Sequence, residues 1–78
     1  MTKVFEELTK ATQEAKAKHK EFPTSREAQL SILVEECGEI AEVANDKGTD
    51  ERFKREVLDA GAVIVRILEG LQGVEAWN

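Results

Sequence analysis

Glu56-Val57-Leu58-Asp59-Ala60-Gly61-Ala62-Val63-Ile64-Val65-Arg66 decides how this chain folds. From Val57 to Leu68 every position is apolar or glycine except Asp59 and Arg66. No strand or turn signal interrupts it, so it predicts the centre of a helix. A helix apolar on nearly all sides has to be covered on nearly all sides. Two further helices from the same chain do not achieve that. The expectation is an all-α fold: a three-helix chain forming a four-helix-bundle-type core, completed by dimerisation.

Asp59 is the anomaly in this stretch. Burying a charge costs several kcal/mol unless it is paired or coordinated, so about that much must be offset here. A metal and an arginine are the two candidates, and Arg66 lies two turns on along the same face.

Working outward, Glu56 and Asp59 form an i,i+3 acidic pair, and Glu36-Cys37-Gly38-Glu39 forms another. Each pair projects from one helix face, one turn apart. The 16 residues between Glu39 and Glu56 suffice for a helix end, a turn and a helix start. Two antiparallel helices would bring the four carboxylates together. Such a cluster repels itself unless a cation sits in it, and its hard oxygen ligands suit Mg²⁺ or Mn²⁺. With 16 Asp and Glu in 78 residues, about three such pairs arise by chance. The chain has three, counting Glu39/Glu42, so position rather than number carries the argument.

The whole chain, 1–78, reads as one domain with helices at about 2–20, 25–45 and 50–71. Val4, Leu8, Ala11 and Ala15, with Phe5 beside them, give the first helix a narrow apolar stripe, and Lys16, Lys18 and Lys20 suit its C-terminal dipole. Glu21-Phe22-Pro23 breaks the pattern. Thr24 with Glu27 reads as a capping box. Leu30, Leu33, Cys37, Ile40 and Ala44 form the expected buried seam of the second helix. Gly48 suits a left-handed turn, and Thr49 is the next N-cap.

A net charge of −5 argues against polymeric nucleic acid and anionic membrane as partners. One cysteine, Cys37, allows no intramolecular disulfide and fits a reducing compartment. With no apolar leader and no long apolar run, the reading is a soluble, cytoplasmic protein. Di-iron bundles use Glu-x-x-His pairs, but the sole histidine, His19, is far from these carboxylates in sequence. Zinc wants more His and Cys than are present. Cations for a phosphate chain are Lys18, His19, Lys47, Arg52 and Arg55, although charge runs more often simply face water. Phe22 and Trp77 are aromatics able to stack a base; the plainer roles are loop packing for Phe22 and a subunit edge or frayed terminus for Trp77.

At its carboxylates the chain resembles the MazG-like superfamily of all-α nucleoside triphosphate pyrophosphatases. The matching text is Glu36-x-x-Glu39, sixteen residues, Glu56-x-x-Asp59, with the flank Ile32-Leu-Val-Glu-Glu-Cys-Gly-Glu-Ile-Ala-Glu42. Lys18-His19 and Phe22-Pro23 look like small, phage- or mobile-element-type members. The resemblance covers about Lys18 to Leu71. It implies Mg²⁺-dependent hydrolysis of a (deoxy)nucleoside triphosphate to the monophosphate and pyrophosphate, in a house-cleaning role. It also implies that Glu36, Glu39, Glu56 and Asp59 hold the metal, that Glu36 or Glu39 orients the attacking water, and that the protein is a homodimer or homotetramer. Glu35 would be an adjacent base at most. The chain departs from the pattern twice. Val63 stands where some members carry Asn or Asp, and the N-terminal helix lacks the tryptophan of larger members. A nucleotide or metal sensor without turnover, and a helical protein-interaction module, are the alternatives of other classes.

Overall fold

In the computed structural model, which describes residues 1–72, helices α1 (Thr2–Lys18), α2 (Arg26–Asn45) and α3 (Asp50–Gln72) follow one another. No strand occurs among the described residues. The tail from Gly73, with Trp77, lies outside them. No described helix is long and apolar enough to cross a membrane.

Local chemistry sets each boundary. α1 ends at Lys18, two residues short of the expected end, because His19 leaves the helical region at φ −126°, ψ 80°. Within α1, Thr9 and Thr12 donate their hydroxyls to the carbonyls of Phe5 and Leu8, both at 2.8 Å. Thr12 is thereby satisfied in a buried position.

The cap of α2 is Ser25, not Thr24. Its Oγ accepts from the Ala28 amide at 3.2 Å, and its φ −82°, ψ 143° is the extended geometry an N-cap needs. The sequence offers two hydroxyls in succession, and the second is used. Glu27 therefore sits in the first helical turn, where the dipole favours it, rather than closing a capping box. Thr49 caps α3 as expected, accepting from the Arg52 amide at 3.1 Å.

The α2–α3 turn corrects a second expectation. Lys47, not Gly48, adopts the left-handed conformation, at φ 57°. The Gly48 amide reaches back to the Val43 carbonyl at 3.0 Å, the 6→1 bond of a Schellman turn with Lys47 at its C′ position. Gly48 is needed for closeness instead. A Cβ there would lie 2.6 Å from Val43 Cγ1.

α3 packs on both other helices, whereas α1 and α2 do not pack on each other. α1 runs parallel to α3. Gly61 admits Leu8, whose Cδ1 lies 2.8 Å from where a Cβ would be, and Lys16 pairs with Glu69 at 2.8 Å one end further on. Lys54 pairs with Glu7 and holds its carboxyl below the usual range. These exposed pairs fix register more than they stabilise. The small residues Ala11, Ala60 and Ala62, with Val43 and Val63, form the buried core.

α2 is rotated from the expected seam. Leu30, Cys37 and Ala44 are exposed, while Gln29, Ile32, Leu33, Glu36, Ile40 and Val43 are at least half-buried. α2 is apolar on two faces, so periodicity alone does not say which one meets α3. The rotation carries Glu36 into the α2–α3 contact. It leaves Leu30 and Val34 on the outside, about 60% exposed, while α3 leaves Phe53, Val57, Ile64 and Leu68 outside.

Relaxing the strained Lys47 should stabilise the chain. Lys47→Gly is expected to add about 1 kcal/mol, raising the melting temperature by roughly 4–8 °C. Gly48→Ala should lower it. Thermal denaturation followed by circular dichroism checks both.

Candidate metal and nucleotide site

Glu36 from α2 and Glu56 and Asp59 from α3 each offer a carboxylate oxygen, and these three oxygens lie within 4.8 Å of one another. All three residues are half-buried. Glu36 Oε2 and Glu56 Oε2 are buried with no hydrogen-bond partner. Orphaned buried oxygens are uncommon in folded proteins, and here two of them belong to one cluster.

The electrostatics agree with the geometry. Burial pushes the Glu36 carboxyl above its ordinary value, and the charges of Glu39, Asp59, Glu56 and Glu35 add to the effect. Glu39 is exposed at the rim of the cluster. A hydrogen bond shared with Glu56 raises its carboxyl too, with smaller contributions from desolvation and from the Glu56 charge. Both shifts mark a site that wants a proton or a cation.

The donor set fits a hard divalent ion. Around Mg²⁺, with oxygens at about 2.1 Å, neighbouring ligands stand ~3.0 Å apart and opposite ones ~4.2 Å, so the three side chains would draw together around an ion.

Asp59 does not lie free in an apolar run. Its side chain is 40% exposed, and Arg55 Nε stands 3.6 Å from Oδ1. The nearby arginine is thus Arg55, one turn before it. Arg66 turns elsewhere: it donates to the Ala15 carbonyl at 3.4 Å and lies over the Phe22 ring, 4.6 Å from its centroid. Arg55 also donates to Glu14 at 3.3 Å, linking α3 to α1.

A cavity of about 400 Å³ opens beside the cluster, bounded by all three helices and the α1–α2 loop. Glu35, Glu36 and Asp59 line it together with Lys18, His19, Arg55 and Arg66. Acidic and basic side chains thus face one space. Of the expected phosphate-binding cations, Lys18, His19 and Arg55 reach this cavity. Lys47 and Arg52 are not among its lining residues. Arg66 was missed as a lining residue. Its two-turn spacing from Asp59 pointed to an ion pair, and only the path of the α1–α2 loop shows that it borders the cavity instead.

No protein-family model, curated protein or solved structure matches the chain. The functional reading therefore rests on the residues and their geometry.

Raised carboxyls set the pH dependence. Glu36 and Glu39 bind protons more tightly folded than unfolded, so without metal the folded state loses stability as pH rises from the ordinary 4.5 through their raised values. Mg²⁺ should reverse this. At neutral pH, saturating Mg²⁺ (about 100 times the Kd) is expected to add ~2.7 kcal/mol, and below pH 4 almost nothing. Glu36→Gln should raise the metal-free melting temperature at pH 7 and abolish the Mg²⁺ increment. Differential scanning fluorimetry with and without Mg²⁺ reads both signs.

Proposed function

We propose that this chain is a MazG-like, Mg²⁺-dependent nucleoside triphosphate pyrophosphohydrolase, converting a (d)NTP to the (d)NMP and pyrophosphate. The observation that carries the reading is the convergence of Glu36, Glu56 and Asp59, with two orphaned buried oxygens, beside a cavity that also holds cations. The geometry adds to the motif text that Glu36 Oε2 and Glu56 Oε2 go unpartnered.

Glu36, Glu56 and Asp59 would hold Mg²⁺, with Mn²⁺ as a substitute. When bound, the metal supplies charge neutralisation for the triphosphate and polarisation of the α-phosphorus. Glu39, exposed beside Glu56, would orient a water and accept its proton. Lys18, His19 and Arg55 line the same space and would meet the phosphate oxygens, offsetting the chain's net charge of −5 where it matters. Glu35 borders the cavity but is exposed, in keeping with an auxiliary role.

The assembly completes the fold in this reading. Leu30 and Val34 on α2, with Val57, Ile64 and Leu68 on α3, supply the apolar surface. A second copy laid on these faces would make the four-helix-bundle-type core, as a homodimer or within a homotetramer. A reducing, cytoplasmic setting suits the exposed free thiol of Cys37.

Binding without turnover is the second reading. Val63 favours it: it is buried in the core, so the position that is polar in some members supplies no ligand here.

Incubated with Mg²⁺ and a panel of standard and modified nucleoside triphosphates, the purified chain should release pyrophosphate from at least one. Glu39→Gln should cut that rate at least about tenfold with helix content unchanged. Calorimetric nucleotide binding with no pyrophosphate would select the sensor reading. Separately, light scattering should give a mass above that of one chain, and Leu30→Glu with Ile64→Glu should return it to the monomer. A monomeric wild-type protein would sink the shared-core proposal.

A further inference from the structure

A second cavity, of about 690 Å³, lies on the far side of the α1–α2 loop. It shares three wall residues with the carboxylate cavity: Phe22, Pro23 and Arg66. Their chemistry differs. The first holds the acidic cluster and the cations Lys18, His19 and Arg55. The second adds Ile67 and Leu71 from α3 and the amide of Gln29 from α2, with Arg26 and Glu69 as its charged residues. A nucleotide has the same two halves, a metal-bound polyanion and a flat ring with polar edges.

The wall between the cavities is itself a stack. The planar Arg66 guanidinium lies over the Phe22 ring at 4.6 Å. Bases stack on aromatic rings and on guanidinium planes alike. The stack is held in place from three directions. Arg66 donates to Ala15 on α1, Gln29 Nε2 donates to the Pro23 carbonyl at 2.8 Å, and Phe22 is half-buried. Gln29 keeps its amide oxygen for a ring N–H. Seven residues along α3 separate Asp59 from Arg66, a rise of about 10.5 Å. That spacing suits a nucleoside lying between a metal-bound phosphate and a stacked base.

We infer that the Phe22–Arg66 stack is the nucleobase subsite, the base joining it as a further layer in the larger cavity while the phosphates lie in the smaller one. The inference rests on the nucleotide reading above. It places base recognition on the α1–α2 loop and the C-terminal half of α3, not on the N-terminal helix.

Inorganic tripolyphosphate separates the two halves, since it has the triphosphate chain and no base. With Mg²⁺ present, wild-type protein should bind dATP or dCTP more tightly than tripolyphosphate in titration calorimetry. Phe22→Leu keeps an apolar side chain in the loop but removes the ring face. It should weaken the preferred dNTP about tenfold or more and leave tripolyphosphate within about twofold, with the melting temperature near wild type. Arg66→Lys, which keeps charge without a plane, should do the same. Equal loss of both ligands, or of neither, would overturn the base subsite and leave the nucleotide reading intact. A wild-type chain that binds neither ligand would overturn both.

Discussion

Like charge held together across a helix–helix contact is the constraint on which the rest of this structure depends. Glu36 comes from α2, Glu56 and Asp59 from α3, and their oxygens share one small space. In water such a group would spread apart. Here the packing of α2 on α3 holds it, and two of the oxygens have no partner at all. The chain accepts a standing electrostatic cost at the centre of its most extensive helix contact. A divalent cation among them would turn the repulsion into ligation.

That constraint explains the modest core. The buried residues of the described chain are small, Ala11, Thr12, Val43, Ala60, Ala62 and Val63, and no large side chain is fully buried. Small residues let α1 and α2 approach α3 closely enough to frame a cavity instead of filling it. Large apolar side chains, Leu30, Val34, Val57, Ile64 and Leu68 among them, lie on the outer faces of α2 and α3.

Much of this was legible in the sequence, and the failures have physical causes. The three helices and the turn at Asp46–Thr49 followed from periodicity and capping chemistry. The i,i+3 spacing led to four converging carboxylates; Glu36, Glu56 and Asp59 do come together, while Glu39 stays exposed outside that group. The orientation of α2 did not follow, because its apolar residues cover two faces and only docking chooses between them. Ser25 displaced Thr24 as cap because adjacent hydroxyls compete. Lys47 took the left-handed position because Gly48 was required one residue later to clear Val43. Arg55 and Arg66 were exchanged for a similar reason. Both lie near Asp59 along the helix, and the loop carrying Phe22 draws Arg66 away while Glu14 keeps Arg55 close. Residues whose roles depend on a loop path are the ones a linear reading places least well.

The central claim is that the carboxylate cluster is a divalent-cation site, and it is tested most directly by titrating Mn²⁺ into the metal-free protein under electron paramagnetic resonance. The account predicts one strongly bound ion per chain, displaced by Mg²⁺ and lost in both Glu36→Gln and Glu56→Gln while helix content is unchanged. Mn²⁺ binding that survives both substitutions undiminished, or no binding by the wild-type chain near neutral pH, would contradict it.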